Sequence, residues 1–312
     1  MASQLLSSCS AEDTPKPVLS PEEKAARREA RLKKRRKKRI YRTVLWTVFL
    51  VSAAVFIFCI VDIIFTLYER KAARDRYEQM QSQYETELVT QSDGENVSEE
   101  PVDPIILDPS KWYADIALPA DKKIDFDALR ARNADVTGWI TIEGTDIDYP
   151  ILQAHGKDVV YLTHDIDGNA SEHGTVCVDV RCSRDFSDRV TLIYGHNMKD
   201  GSMFAPIYQY YRDPKFFQAD HRIHIYLDNA VLTYRVVAAY EYGYEHPLYY
   251  YDMTDDADFS AYCDIFLNSR DMKAQVLPVE IRPDDHLLTL ITSTNVRADQ
   301  RLFVQAVLVD GE

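Results

Sequence analysis

Three regimes of hydrophobic patterning follow one another along the chain. Between Val44 and Tyr68 the sequence VLWTVFLVSAAVFIFCIVDIIFTLY runs 25 residues with one charge, Asp62. A bilayer core takes about 20 apolar residues in a helix, so this run predicts a transmembrane anchor over residues 43–68. A cleaved signal peptide has a shorter apolar core, roughly 7–15 residues, and a small-residue exit site, whereas this run passes directly into charged, helix-forming sequence and reads as a retained anchor. Glu69 to Gln91, ERKAARDRYEQMQSQYETELVTQ, is free of Gly and Pro and predicts a juxtamembrane helix or stalk. Ser92 to Pro104 is acidic and turn-rich, so residues 69–111 read as juxtamembrane helix and linker.

From Trp112 the pattern changes to short β-rich runs broken by turn residues, roughly 200 residues and one domain over 112–312. The runs are Trp139–Ile142, Ile147–Leu152, Thr175–Val180, Val190–Tyr194, Ile223–Leu227, Val231–Tyr240, Leu287–Thr292 and Leu302–Val309. Strands at this density predict a mainly β fold with inserted helices, closed or nearly closed as a barrel and preceded by the transmembrane helix. Phe126–Asp135 and Asp256–Asp271 are the helix candidates, the second with Phe259, Tyr262, Cys263 and Phe266 spaced along one face.

Charge sharpens the division. Residues 1–42 carry 13 Lys/Arg and 5 Asp/Glu, a net of +8, within a chain whose overall formal charge is −14. The run RLKKRRKKR (Arg31 to Arg39) abuts the apolar segment, and by the positive-inside tendency it keeps residues 1–42 in the cytoplasm as a basic tail. The expected location is the cell membrane, single-pass, with the acidic domain extracellular. A basic run against a membrane span needs no nucleic-acid partner, and none is expected. Five scattered cysteines suit neither a disulfide framework nor a CxxC zinc site. Cys177 and Cys182 are close enough to close a small loop, but Cys177 sits in an apolar strand, where a buried thiol is expected. No internal repeat, Walker loop, GxGxxG, HExxH or EF-hand pattern occurs, and no cofactor or metal is expected. His221 and His224 stand at i, i+3 on opposite faces of a strand, and His155, His164 and His173 lack ligand spacing.

Chemistry is therefore sought at strand ends. Tyr194-Gly195-His196-Asn197-Met198 follows the strand Val190–Tyr194, which puts His196 at a strand-to-loop edge. Alone, it would pass for a loop histidine with no task. The segment TLIYGHNMKDGSMFAPI (Thr191 to Ile207), however, resembles the histidine segment of class B sortases, membrane-anchored cysteine transpeptidases of Gram-positive bacteria. FDALRARNADVTGWITIEGTDIDYPILQ (Phe126 to Gln153) is similar to the entry region of the same family. The resemblance continues through YLTHDIDGNASEHGTVCVDV (Tyr161 to Val180) to the carboxy terminus. It implies an eight-stranded sortase β-barrel and a type II anchor.

Sortases carry Thr-Leu-x-Thr-Cys at a strand end, the Cys being the nucleophile, with an Arg on the next strand. Here the chain reads TLITS, Thr289 to Ser293, so Ser293 occupies the nucleophile's place. Arg301, just before LFVQAVLV, matches the family's arginine, with Arg297 as runner-up. A thiol has a reference pKa of about 8.5 and a neighbouring imidazolium lowers it, whereas a serine hydroxyl needs a general base during attack and a group that orients that base. Asp200 lies near His196 in sequence and is a candidate for that role. Three origins of Ser293 remain open: a deliberate Cys→Ser replacement, a serine-dependent transpeptidase, or a degenerate sortase that still binds its peptide. The intact tail and anchor favour a natural sequence.

The resemblance implies catalysis by His196, Ser293 and Arg301 on secreted proteins ending in an LPxTG-like or NPxTx-like sorting motif. Cleavage after the Thr would give an acyl-enzyme, released by a peptidoglycan cross-bridge or pilin amine. The alternative is a pseudosortase that binds sorting peptides without turnover; a purely structural envelope protein fits less well, because the His and Arg candidates remain in place. The aromatic segment Glu241 to Asp252 either faces the peptide or covers the barrel edge.

Overall fold

In the computed structural model the described residues are 21–87, 110–156, 160–243, 245, 247–294 and 297–309. The expected acidic linker at 92–104 lies outside them. The chain divides into two units, residues 1–68 and 69–312. Helix α1 (Pro21–Tyr84) contributes residues to both. In the first unit, Pro21–Tyr68 is long and apolar enough to cross a membrane, with a mean hydropathy of 2.9 in its most apolar window and no part of that window buried. Its large apolar side chains, among them Trp46, Phe49, Phe56 and Phe58, are exposed, as a membrane anchor requires, and a helix satisfies its own backbone hydrogen bonds in lipid.

The second unit is a closed barrel. Its strands are β1 (Val136–Ile142), β2 (Asp148–Leu152), β3 (Cys177–Val178), β4 (Val190–Tyr194), β5 (Arg222–Leu227), β6 (Ala230–Gly243), β7 (Leu287–Ser293) and β8 (Gln300–Val309). Around the barrel they run β6-β8-β7-β4-β3-β2-β1-β5, and β5 pairs back onto β6 to close it. The β7–β4 and β3–β2 contacts are parallel and the rest antiparallel. Eight strands enclose an interior that side chains fill, here Ile193, Leu232, Leu290 and Val304, all buried and on one face of the wall by register. Because the wall is also covered outside, β4 and β7 bury nearly every residue and read as continuous apolar runs rather than alternating ones.

The inserted helices follow their caps. Asp125 accepts from Ala128 N–H to start α2 (Phe126–Arg132), which ends three residues short of the expected Asp135 because the Asn133 side chain is committed to Tyr161 Oη and the Ile166 carbonyl. Asp255 caps α5 (Asp256–Leu267), whose buried face is Phe259, Tyr262, Cys263 and Phe266. Helices α3 (Tyr208–Arg212) and α4 (Pro214–Gln218) are additions to the sequence reading, five residues each and joined at Asp213, which caps α4 ahead of Pro214. The expected strand Thr175–Val180 shrinks to Cys177–Val178, since the backbone turns at Asp179–Cys182.

The segment expected as a juxtamembrane helix or stalk is helical to Tyr84, and it does not stand free of the barrel. Met80 and Tyr84 are buried with Phe126, Leu129, Trp139 and Leu152. Tyr77 meets the Tyr149 ring edge-on at 5.3 Å, and Gln81 donates to the Asp148 carbonyl at 2.6 Å. Apolar positions at i, i+3 and i+7 give this charged helix a narrow buried stripe.

Candidate active site

Strand register assembles the candidate site. In the parallel β4–β7 pair, Tyr194 is opposite Ile291, so His196 and Ser293 each lie two residues beyond a matched position at the same end of the sheet. In the antiparallel β7–β8 pair, Ser293 is directly opposite Arg301. The end is stitched by Gly195 N–H to the Ile291 carbonyl at 3.2 Å, the Thr292 hydroxyl to the Gly195 carbonyl at 2.7 Å, and Asn197 Nδ2 to the Ser293 carbonyl at 3.0 Å. Gly195 is required by space, since a Cβ there would lie 2.5 to 2.9 Å from the buried Phe204 ring.

His196, Ser293 and Arg301 line one cleft of about 320 Å³, with Leu162, Tyr194, Glu245, Pro247 and Phe303 among its walls. All three candidates are half-buried, accessible to a substrate but shielded from bulk water. Arg297 is exposed and absent from the cleft; it is held in the preceding turn by Thr294 and Gln300. The Arg301 guanidinium donates through Nη1 to the Ala298 and Gln300 carbonyls at 3.0 and 2.9 Å, which fixes one edge of the fork. The aromatic segment after β6 divides: Glu245 and Pro247 reach the cleft, whereas Tyr249 and Tyr250 are exposed outside it.

His196 is oriented by backbone rather than by a carboxylate. Its Nε2 lies 2.5 Å from the Leu162 carbonyl, which only accepts, so Nε2 carries a proton and Nδ1 holds the lone pair in the neutral ring. Asp200 is not its partner. That carboxylate accepts from Ser202 N–H and hydroxyl through Oδ1 and pairs with His173 through Oδ2. Burial opposes its ionisation, but the hydrogen bonds from Ser202 and His173 prevail and hold it below the usual carboxylate range. Among the described residues His196 has no carboxylate hydrogen-bond partner. The His173–Asp200 pair has no signature in sequence, the two being 27 residues apart on different loops.

No described thiol lines the cleft. Cys177, Cys182 and Cys263 are buried and unpaired, and burial pushes each thiol up to about 12, leaving them inert. Burial likewise raises the Tyr194 phenol at the cleft wall, with Asp179 adding to the effect, so it is a neutral wall group. Among the described residues no group of three or more His, Cys, Asp or Glu side chains is placed to hold a metal ion.

No family model matches the chain. It is 33% identical to sortase B of Listeria monocytogenes over 185 residues, 58% of this chain and 72% of that protein. Identity to sortase B of Staphylococcus aureus is 27% over 189 residues, 59% of this chain and 74% of that protein. The solved structure of sortase B from B. anthracis superposes with a TM-score of 0.58 at 24% identity, covering 78% of this chain and all of that one, a likeness of fold. With identity sustained across most of a curated relative and the same closed barrel, the chain belongs to the class B sortase family.

Proposed function

We propose that this protein is a membrane-anchored transpeptidase in which Ser293 stands in the nucleophile's place, His196 transfers protons and Arg301 holds the oxyanion. The observation that carries the reading is the convergence of these three residues, from the ends of β4, β7 and β8, on one cleft. A sorting peptide laid in the cleft presents the carbonyl of its Thr to Ser293 Oγ. Attack forms the C–O bond as the hydroxyl proton passes to His196 Nδ1, and the carbonyl oxygen becomes an anion facing the Arg301 guanidinium. Collapse breaks the C–N bond, His196 returns the proton to the leaving amine, and an ester at residue 293 remains. A peptidoglycan cross-bridge or pilin amine then attacks that ester, gives its proton to His196, and leaves as the new amide while Ser293 recovers its hydrogen. The basic tail lies in the cytoplasm, and the barrel acts on secreted proteins outside.

A second reading, a peptide-binding pseudosortase, is favoured by the commitment of Asp200 to His173. A serine whose histidine lacks a carboxylate has a weaker base than a triad supplies. A peptide-cleavage assay separates the two, with peptides drawn from secreted proteins encoded near this gene and His196→Ala as the blank. Turnover by the parent supports the transpeptidase, with Ser293→Cys faster by roughly 10²–10⁴-fold, because a thiolate is already deprotonated and needs no general base during attack. Activity confined to Ser293→Cys supports the pseudosortase. Activity in neither refutes the transpeptidase reading, and peptide binding without cleavage by either protein then supports the pseudosortase.

A further inference from the structure

His173 and Asp200 form a buried pair outside the cleft, Nε2 to Oδ2 3.1 Å, with side chains 7% and 8% exposed. They face a separate cavity of about 760 Å³ that Tyr77, Gln81 and Tyr149 also line. None of these five residues lines the cleft of His196, yet the pair bridges the two segments that hold His196 in place.

Asp200 belongs to the turn after β4, which folds back so that Phe204 N–H meets the His196 carbonyl at 2.8 Å and Gly201 N–H meets the Met198 carbonyl at 3.1 Å. His173 belongs to the other segment and precedes Gly174. With φ at +58°, Gly174 packs its backbone against Leu162, and a Cβ there would stand 2.7 Å from the Leu162 oxygen. That oxygen is the acceptor of His196 Nε2. The same stretch is tied by Thr175 N–H to the Tyr161 carbonyl at 2.7 Å, and from the helix side by the Tyr77 hydroxyl, which donates to the Gly174 carbonyl at 2.5 Å. Burial raises the Tyr77 phenol and keeps it a donor.

We infer that Tyr77, His173 and Asp200 are positioning residues for His196: they clamp the Leu162–Gly174 segment to the His196 turn, so that the Leu162 carbonyl fixes the imidazole tautomer. The inference rests on His196 as the proton carrier of the proposed reaction. It assigns to a braced backbone carbonyl the orienting task that a carboxylate performs in a serine triad, as groups behind a metal-bound histidine fix its ring. It also gives the helix residues 72–84 a part in the site, through one hydroxyl.

The test reads the tautomer directly, by nitrogen NMR of the full chain carrying ¹⁵N-histidine in detergent, with His196→Ala to assign the signal. In the parent, neutral His196 is expected predominantly in the Nε2–H form. A hydrogen bond worth about 1 kcal/mol corresponds to roughly a fivefold tautomer ratio, so Tyr77→Phe and His173→Phe should each raise the Nδ1–H fraction severalfold. His173→Gln, whose amide can again donate to Asp200, should restore the parent spectrum. Tyr77→Phe removes a single oxygen and keeps the ring against Tyr149, so it remains informative if His173→Phe fails to fold. An unchanged tautomer in folded Tyr77→Phe and His173→Phe, even with lowered melting temperatures, would overturn the inference and leave these residues a structural role only. Failure of Ser293→Cys to cleave any sorting peptide would instead sink the transpeptidase reading, and the tautomer result would stand apart from it.

Discussion

Replacing Gln305 by leucine tests what holds Ser293 opposite Arg301. On one face of the β7–β8 pair the matched positions run Ser293 with Arg301, Ile291 with Phe303, and Thr289 with Gln305. At the inner end of this face lies a ring of hydrogen bonds among fully buried groups. The Thr289 hydroxyl donates to Gln305 Oε1 at 2.7 Å, so its single proton is committed and Tyr262 must be the donor in the 2.9 Å Tyr262–Thr289 bond. Gln305 Nε2 completes the ring on Tyr262 Oη at 2.9 Å and reaches Tyr240 Oη at 3.1 Å. Leucine is close in volume, so the cost is chiefly polar. Thr289 loses its acceptor and two phenols lose a donor; at about 1–3 kcal/mol for a stranded buried group and less for an under-donated oxygen, the loss comes to about 3–5 kcal/mol. For a domain of this size, at about 2–4 °C per kcal/mol, the melting temperature should fall by roughly 6–20 °C. Adding Thr289→Val removes the stranded hydroxyl and should recover about 1 kcal/mol or more. Urea unfolding of the full chain in detergent, followed by near-ultraviolet circular dichroism, gives both values. A loss below about 1 kcal/mol for Gln305→Leu would refute the claim that this ring pins the register of the pair.

Three further outcomes are expected. Gly195→Ala drives a Cβ into the buried Phe204 ring next to His196, so peptide cleavage by the Ser293→Cys protein should fall at least about tenfold for a displacement approaching 1 Å, with the melting temperature less affected; unchanged cleavage would count against close packing at this turn. With thiols near 12 in the fold against an ordinary value of 9, Cys177, Cys182 and Cys263 bind more protons folded than unfolded above pH 9, as do the buried tyrosines above pH 10; stability should therefore hold from neutral pH to about pH 9 and fall as pH rises beyond it, and a pH-independent urea midpoint from pH 8 to 11 would contradict the burial described. Protease added to intact cells should remove residues beyond about Glu69 and spare the first 42, and protection of the barrel would reverse the orientation argued from Arg31 to Arg39.

What was legible in the sequence was what local pattern encodes. The β4 and β7 cores, the apolar span and the buried face of α5 are set by periodicity and run length, and each appears where its pattern placed it. Placing His196, Ser293 and Arg301 on one cleft required the resemblance, since residues 97 positions apart meet only through the parallel β4–β7 pairing. Two things were not legible. The packing of Tyr77, Met80 and Tyr84 onto the barrel is a sparse apolar stripe in a charged segment, whose pattern gives a juxtamembrane helix or stalk but not its docking. The partner of Asp200 is decided by loop closure between His173 and the turn after β4, and nearness to His196 in sequence pointed the wrong way. The backbone acceptor of His196 is silent in any sequence, because every residue carries a carbonyl.

The most direct test of the account is where the acyl group goes. The parent and Ser293→Cys proteins, incubated with a sorting peptide and quenched in acid, should yield a digest fragment containing residue 293 heavier by the peptide up to and including its Thr. The released carboxy-terminal fragment should appear in at least equal amount, and both should vanish in His196→Ala and Arg301→Ala. Peptide cleavage with no adduct at residue 293, or with the adduct on another side chain, would contradict the assignment of Ser293 to the nucleophile's place.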